Sequence, residues 1–177
     1  MELSFVPPII PAADELHWYA VYTAPRAEKK VAERFIQAGI EHYLPLQKVK
    51  RRWSDRVKEV EVPVVHGYIF VHIFPSAFRK VLSIYGAIAF VKEFHKPVPI
   101  PDDQIARLKF MVDYSEEPVT FSVEELVPGE IVTINRGPLM GLIGELHEIK
   151  GKHQVVIRIE KLGCALMIVP LSFINRG

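Results

Sequence analysis

The sequence predicts an α+β chain of two small domains: a ferredoxin-like antiparallel sheet with helices on one face, then a small SH3-like β-barrel. Three observations predict it. Between His17 and Val91 the patterning runs strand, helix, strand, hairpin, strand, helix, strand, and a last helical stretch follows. From residue 122 onward, short β-branched runs alternate with tight turns and no helical period. Between them, residues 115–121 turn acidic and non-periodic, with Glu116, Glu117 and Pro118, and are expected to form a flexible linker. The expected domains are therefore 17–114 and 122–177, within the size range of small independent folds.

Each element has a local cause. His17–Thr23 alternates aromatic and smaller residues and reads as a strand. Pro25 sits where a first helical turn tolerates it. Val31, Phe35 and Ala38 then recur at helical spacing, and Gly39 is placed to end the helix. Glu41 to Leu44 is a short strand stopped by Pro45. Arms 47–53 and 57–63 flank a hairpin tip at Ser54-Asp55-Arg56. Residues 67–74, GYIFVHIF, form the strongest strand of the chain. Ser76 is a suitable N-cap for a helix from Ala77 to Tyr85. Ile88 to Val91 is the next strand, and Ile105, Leu108 and Met111 share one face of a helix over 102–114. In the second domain, strands are expected over 130–134, 143–149, 153–159 and 164–170, with a short end near Phe173 and a hairpin turn at Lys150-Gly151-Lys152.

Bulk composition excludes several classes. No apolar run approaches the roughly 20 residues that span a bilayer, so no membrane association is expected. Residues 1–16, interrupted by Pro7, Pro8 and Pro11 and lacking a basic start, read as a disordered leader and not a signal peptide. A single cysteine, Cys164, forms no internal disulfide and fits a reducing cytoplasm. Net charge is +1, but residues 48–58 alone carry +5, while 122–177 are neutral with six basic and six acidic residues. Attraction to nucleic acid therefore has to come from the first domain.

The segment Gly129–Gly144, GEIVTINRGPLMGLIG, is the most specific phrase in the chain. A β-branched strand runs into a loop punctuated by glycines, in which Pro138 fixes φ. Gly129, Gly137, Pro138, Leu139, Gly141 and Gly144 stand in the pattern of the KOW motif, and the phrase resembles that motif in NusG transcription factors and some ribosomal proteins. The likeness extends upstream: residues 18–35, WYAVYTAPRAEKKVAERF, and the strand GYIFVHI resemble the opening and the central strand of a NusG N-terminal (NGN) domain. Residues 22–26, Tyr43-Leu44-Pro45 and Arg52-Trp53-Ser54-Asp55-Arg56 are similar to the specialised UpxY-type antiterminators associated with polysaccharide operons. Val64-Val65-His66 departs from the Phe-Phe-Pro common in the family before the Gly-Tyr strand.

Candidate site residues come from chemistry and from that resemblance. In 67–74, Tyr68, Phe70 and Phe74 share one apolar face, while Ile69, Val71 and Ile73 share the other. With helices on one side only, the second face must be core beneath another element or a docking surface. The resemblance implies that Tyr22, Tyr68 and Phe70 dock on the clamp helices of RNA polymerase and that Arg79 and Lys80 touch the opposite jaw. Lys48, Lys50, Arg51, Arg52, Arg56 and Lys58 with Trp53 form a basic hairpin able to follow phosphates and stack on a base. The alternative is a solvated edge whose charges block aggregation. The resemblance adds Arg26 and Lys30 as contacts to non-template DNA of the transcription bubble, and a ribosomal protein or termination factor as a second partner of the KOW domain.

No enzyme chemistry is expected. His66 and His72 are too far apart on their strand for joint metal ligation, and no Cys or carboxylate supports them, so no metal or cofactor is implied. The loop at Pro138 lacks the Lys-Ser/Thr and helix of a phosphate loop. The resemblance implies the function of a cytoplasmic, monomeric transcription elongation or antitermination factor. The alternative is a ribosome-associated or general RNA-binding KOW protein, which would call for a basic second domain.

Overall fold

A computed structural model describes residues 14–176; of the expected leader, residues 1–13 lie outside the described residues. Strand β1 (His17–Thr23) leads to helix α1 (Glu28–Ala38), which stops at Gly39, held at φ 69° as a left-handed cap. β2 (His42–Tyr43), the hairpin β3 (Leu46–Arg52) and β4 (Val57–Pro63), and β5 (Tyr68–Ile73) follow. Then come the short α2 (Phe78–Leu82), β6 (Ala87–Phe90), a small hairpin of β7 (Lys92–Glu93) and β8 (Lys96–Pro97), and α3 (Asp102–Tyr114). The main sheet has the order β2-β5-β1-β6, and β3–β4 stands apart as a two-stranded ribbon.

The expected α2 is cut short. Pro75–Ala77 form a 3₁₀ turn, Ser76 makes no capping bond, and α2 holds only five residues. At its far end the Ser83 hydroxyl donates to the Lys80 carbonyl at 2.6 Å, a local bond that competes with helix continuation.

The larger correction concerns the helices' side of the sheet. Antiparallel pairing sets Trp18, Ala20 and Tyr22 against His72, Phe70 and Tyr68 on one face, and Tyr19 and Val21 against Val71 and Ile69 on the other. Val31 and Phe35 of α1 and Val81 of α2 cover the second face. Helix α3 covers the first, with Ile105, Leu108 and Met111 clustered against Ala20 and Phe70. Helices therefore lie on both faces. An apolar row on each face of a strand demands this, since exposing it would forfeit roughly 1.5–3 kcal/mol per large side chain.

The C-terminal part is a six-stranded antiparallel sheet in the order β14-β10-β11-β12-β13-β9. Its strands are β9 (Thr120–Ser122), β10 (Glu130–Ile134), β11 (Ile143–Ile149), β12 (Lys152–Ile159), β13 (Gly163–Ile168) and β14 (Ile174–Arg176). The edge strands β9 and β14 do not pair with each other, so closure of the expected SH3-like barrel is not seen among the described residues. Lys150 and Gly151, at φ 53° and 73°, make the expected hairpin turn. Residues 115–121 are not a loose tether. Thr120 and Phe121 already pair with β13, Val119 is buried, and the Gln47 amide both donates to the Val119 carbonyl (2.9 Å) and accepts from its N–H (3.1 Å). Further ties join the halves: Glu160 N–H to Gln104 at 2.9 Å and Lys161 to Glu93 at 2.8 Å.

Candidate functional site

Three surface features collect the expected site residues. The first is a tyrosine pair on the α3 face. Helix α3 covers the centre of that face and leaves one end open, where the Tyr22 and Tyr68 rings meet at 4.6 Å between centroids. Tyr22 is exposed and Tyr68 half-buried. Burial, and the neighbouring Tyr22 hydroxyl, push the Tyr68 phenol up to about 12. Phe70 does not join this surface. It is fully buried, stacked 6.3 Å from the Tyr43 ring beneath α3, so its expected docking role is replaced by a core role in this conformation. Val64 and Val65, which depart from the family's frequent Phe-Phe, are core residues in the same cluster.

The glycine preceding Tyr68 explains how the pair is presented. Gly67 has φ 81°; its N–H donates to the Glu28 carboxylate at 2.8 Å and its carbonyl accepts from Thr23 at 2.9 Å. Glu28 is itself buried in the first turn of α1. The Glu28 carboxylate thus ties the start of α1 to Gly67, whose carbonyl in turn holds the end of β1. Sequence reasoning missed Glu28 because a carboxylate opening a helix reads as ordinary dipole complementation.

The second feature is the β3–β4 hairpin. Its register pairs Lys48 with Glu61, Lys50 with Glu59, and Arg51 with Lys58. The base is therefore compensated, and Lys48 reaches Glu59 at 3.5 Å. The tip keeps an excess of positive charge: Arg51 and Lys58 stand directly opposite as like charges, Arg52 and Arg56 adjoin them with Asp55 the one acid there, and Trp53 is 57% exposed. Like charges across a ladder are destabilising unless an anion intervenes. The four tip cations form no ion pair among the described residues. Reversing Arg51, Arg52 and Arg56 should therefore lower the salt slope of single-stranded DNA binding by about 0.7 for each phosphate no longer neutralised. Titrating a labelled oligonucleotide at several salt concentrations measures this, and an unaltered slope would make the tip a solvated edge.

Arg26 and Lys30 form the third feature with a residue not foreseen, Arg34. All three line a cleft of about 640 Å³ between α1 and residues 82–88. Arg79 and Lys80, expected to face an opposite jaw, are exposed on α2 and unpaired among the described residues.

In the C-terminal sheet, the glycine-rich loop is tied at both ends. Ile134 N–H donates to the Leu142 carbonyl (2.9 Å) and Gly141 N–H to the Ile134 carbonyl (2.7 Å). Leu139 and Leu142 point into the core, while Pro138 and Met140 are exposed. Gly144 is required by close approach: a Cβ there would stand 2.7 Å from the Val155 side chain and 2.9 Å from the Val156 carbonyl. Among the described residues, no group of three or more His, Cys, Asp or Glu could hold a metal ion, and no helix is long and apolar enough to cross a membrane.

The family model described as "Transcription termination factor nusG" matches residues 16–109, more than half of the chain. Among solved structures, Thermotoga maritima NusG, in a study titled for its domain interaction, matches 93% of this chain and 99% of its own at 22% identity and a TM-score of 0.56. Two conformations of the MjSpt4:Spt5 complex match 89% of this chain and 96% and 95% of theirs at 16% identity, with TM-scores of 0.31 and 0.32. No curated protein matches by sequence.

Proposed function

The chain belongs to the NusG family of transcription factors, and from that premise we propose that it is a non-enzymatic elongation factor docking on RNA polymerase through Tyr22 and Tyr68. The observation that carries this is the tyrosine pair: adjacent rings at the one end of the sheet face that α3 leaves uncovered. Aromatic rings with a polar rim suit a protein interface that is apolar at its centre and wet at its edge. The cations of the hairpin tip and of α1 then meet the non-template strand of the bubble. In the UpxY-like reading, the protein acts in the cytoplasm at specific operons such as polysaccharide loci. There it suppresses pausing or termination by stabilising the closed clamp at the expense of states that need it open. The C-terminal sheet, neutral overall, serves as a recruiting surface for a protein such as a ribosomal protein or termination factor.

Tyr22→Ala and Tyr68→Ala should each weaken binding to purified RNA polymerase by about thirtyfold, the loss typical of a central aromatic anchor of about 2 kcal/mol. Polymerase and ribosomal subunits are offered separately to immobilised full-length protein and to each variant. Variants that keep the wild-type circular dichroism and still bind polymerase equally would sink the docking assignment. Capture of ribosomal subunits alone would replace it with the RNA-binding alternative.

A further inference from the structure

Opposite the tyrosine pair, the α3 face of the main sheet ends in a stack of Trp18 on His72, 4.7 Å between centroids and 13° between planes. The Glu41 carboxylate, 3.0 Å from His72 Nδ1, holds the imidazole flat on the indole. Trp18 packs against the core cluster beneath α3 but, like His72, stays partly exposed. Past this stack the apolar row runs on beyond the limits of β1 and β5. One step further than the His17–Ile73 pair, strand alternation puts Leu16 and Phe74 on the same face. They are 39% and 47% exposed, and neither joins a core cluster among the described residues.

The chain itself brings a cover to this spot. Asp14 Oδ1 accepts from the Ser76 N–H at 3.4 Å, so the described chain begins beside Phe74. The residues before it, MELSFVPPIIPAA, carry Leu3, Phe5, Val6, Ile9 and Ile10 and a single charged side chain, Glu2. From Asp14 to Trp18 is about 13 Å at the strand rise, within reach of a Phe5–Pro11 segment that spans about 20 Å in polyproline form. Pro7, Pro8 and Pro11 have no N–H with which to extend a sheet edge, so contact has to come from side chains. Proline-rich segments suit aromatic-lined surfaces, because their pre-set backbone loses little entropy on docking.

We propose that residues 5–11, FVPPIIP, dock across Trp18, His72 and Phe74 of the same chain. The tether makes this contact intramolecular, at an effective concentration of about millimolar, so it needs little affinity of its own. A second copy or another protein would have to displace a segment already attached at Asp14. The row lies at the far end of the face from Tyr22 and Tyr68, so the proposal stands or falls apart from polymerase docking.

The test uses the full chain with Trp53→Phe, which leaves Trp18 as the single indole. Acrylamide quenching of Trp18 is compared with that of a protein also carrying Phe5→Ser, Ile9→Ser and Ile10→Ser. The serine leader should raise the quenching constant and shift the emission to the red, because the indole gains contact with water. Nuclear Overhauser contacts from residues 5–11 to the Trp18 and Phe74 rings should be present in the first protein and lost in the second. Phe74→Ala should expose Trp18 as the serine leader does; Phe74 is half-exposed, and unchanged circular dichroism checks that the sheet survives. Free MELSFVPPIIPAA peptide at about millimolar concentration should restore protection to the serine-leader protein. Equal quenching with either leader, and no contacts to either ring, would overturn the proposal. Protection that instead disappears on dilution, with a dimer seen in sedimentation, would overturn it in favour of a second copy on this row.

Discussion

Phe70→Ala is expected to cost about 3–5 kcal/mol, enough to unfold much of the N-terminal domain, even though the resemblance places Phe70 on a docking surface. The ring is fully buried, opposite Ala20 in the β1–β5 register, stacked near Tyr43 and covered by Leu108 and Met111 of α3. Truncation would remove the transfer energy of the ring and leave a cavity between two rigid layers, which cannot close without shifting α3. Urea unfolding followed by circular dichroism measures the loss. A variant within about 1 kcal/mol of wild type would mean that α3 does not rest on this ring. Tyr22→Ala, at the open end of the same face, is expected to change stability less, because Tyr22 is already 41% exposed.

That contrast marks where the sequence is legible. Period-2 and period-3.6 patterns locate β1, β4, α1 and α3 and every strand from β10 to β13, because each signal is local and strong. The twin apolar faces of β5 also show that something must cover the second side. Which element covers it is a tertiary fact. The amphipathic stripe of α3 fits either face equally well, and only the path through β6 and the β7–β8 hairpin delivers it opposite α1 and α2. The linker expectation fails for a related reason. Glu116, Glu117 and Pro118 are exposed and do look like a tether, but the next residues are captured by Gln47 and by β13, partners 72 and more than 40 positions away.

At the site, charge is legible and its compensation is not. Six cations between residues 48 and 58 are plain, but the β3–β4 register decides that Glu59 and Glu61 answer those at the base while Arg51 faces Lys58 near the tip. The spacing of Arg26, Lys30 and Arg34 could have flagged one helical face. Arg34 donates to the Tyr85 carbonyl 51 positions beyond it, and no period connects the two. The glycine motif is recognisable as a pattern, yet its physical content appears only in three dimensions. At Gly129 a Cβ would fall 2.6 Å from the Leu146 carbonyl, so only glycine brings this backbone close enough for its N–H to reach a buried carboxylate.

That carboxylate, Glu145, should dominate the stability of the C-terminal sheet. It is buried on the face that also holds Val156, Cys164 and Leu166. Arg158 grips it with two hydrogen bonds of 2.9 Å, the Gly129 N–H donates at 2.8 Å, and His147 approaches at 3.4 Å. Glu145→Ala would leave Arg158 and the Gly129 N–H without their partner in a mostly dry setting, a loss of about 3–5 kcal/mol. Burial pushes the Glu145 carboxyl up, but the Arg158 hydrogen bond, the Gly129 N–H and His147 together outweigh it and hold the group below its ordinary 4.5. A carboxylate with a lowered folded pKa contributes stability that is present above the unfolded value and lost as pH falls through the folded one. Wild-type stability should therefore decline as pH drops below 4.5, the window in which Glu145 gains its proton. Glu145→Gln keeps the shape without the titration, so it should be less stable at neutral pH and show a flatter acid limb. Urea midpoints of the two proteins, followed from neutral pH to about pH 3, then converge as the pH falls. A constant gap across that range would mean that the ion pair contributes no net stability and that the cluster is held by packing alone.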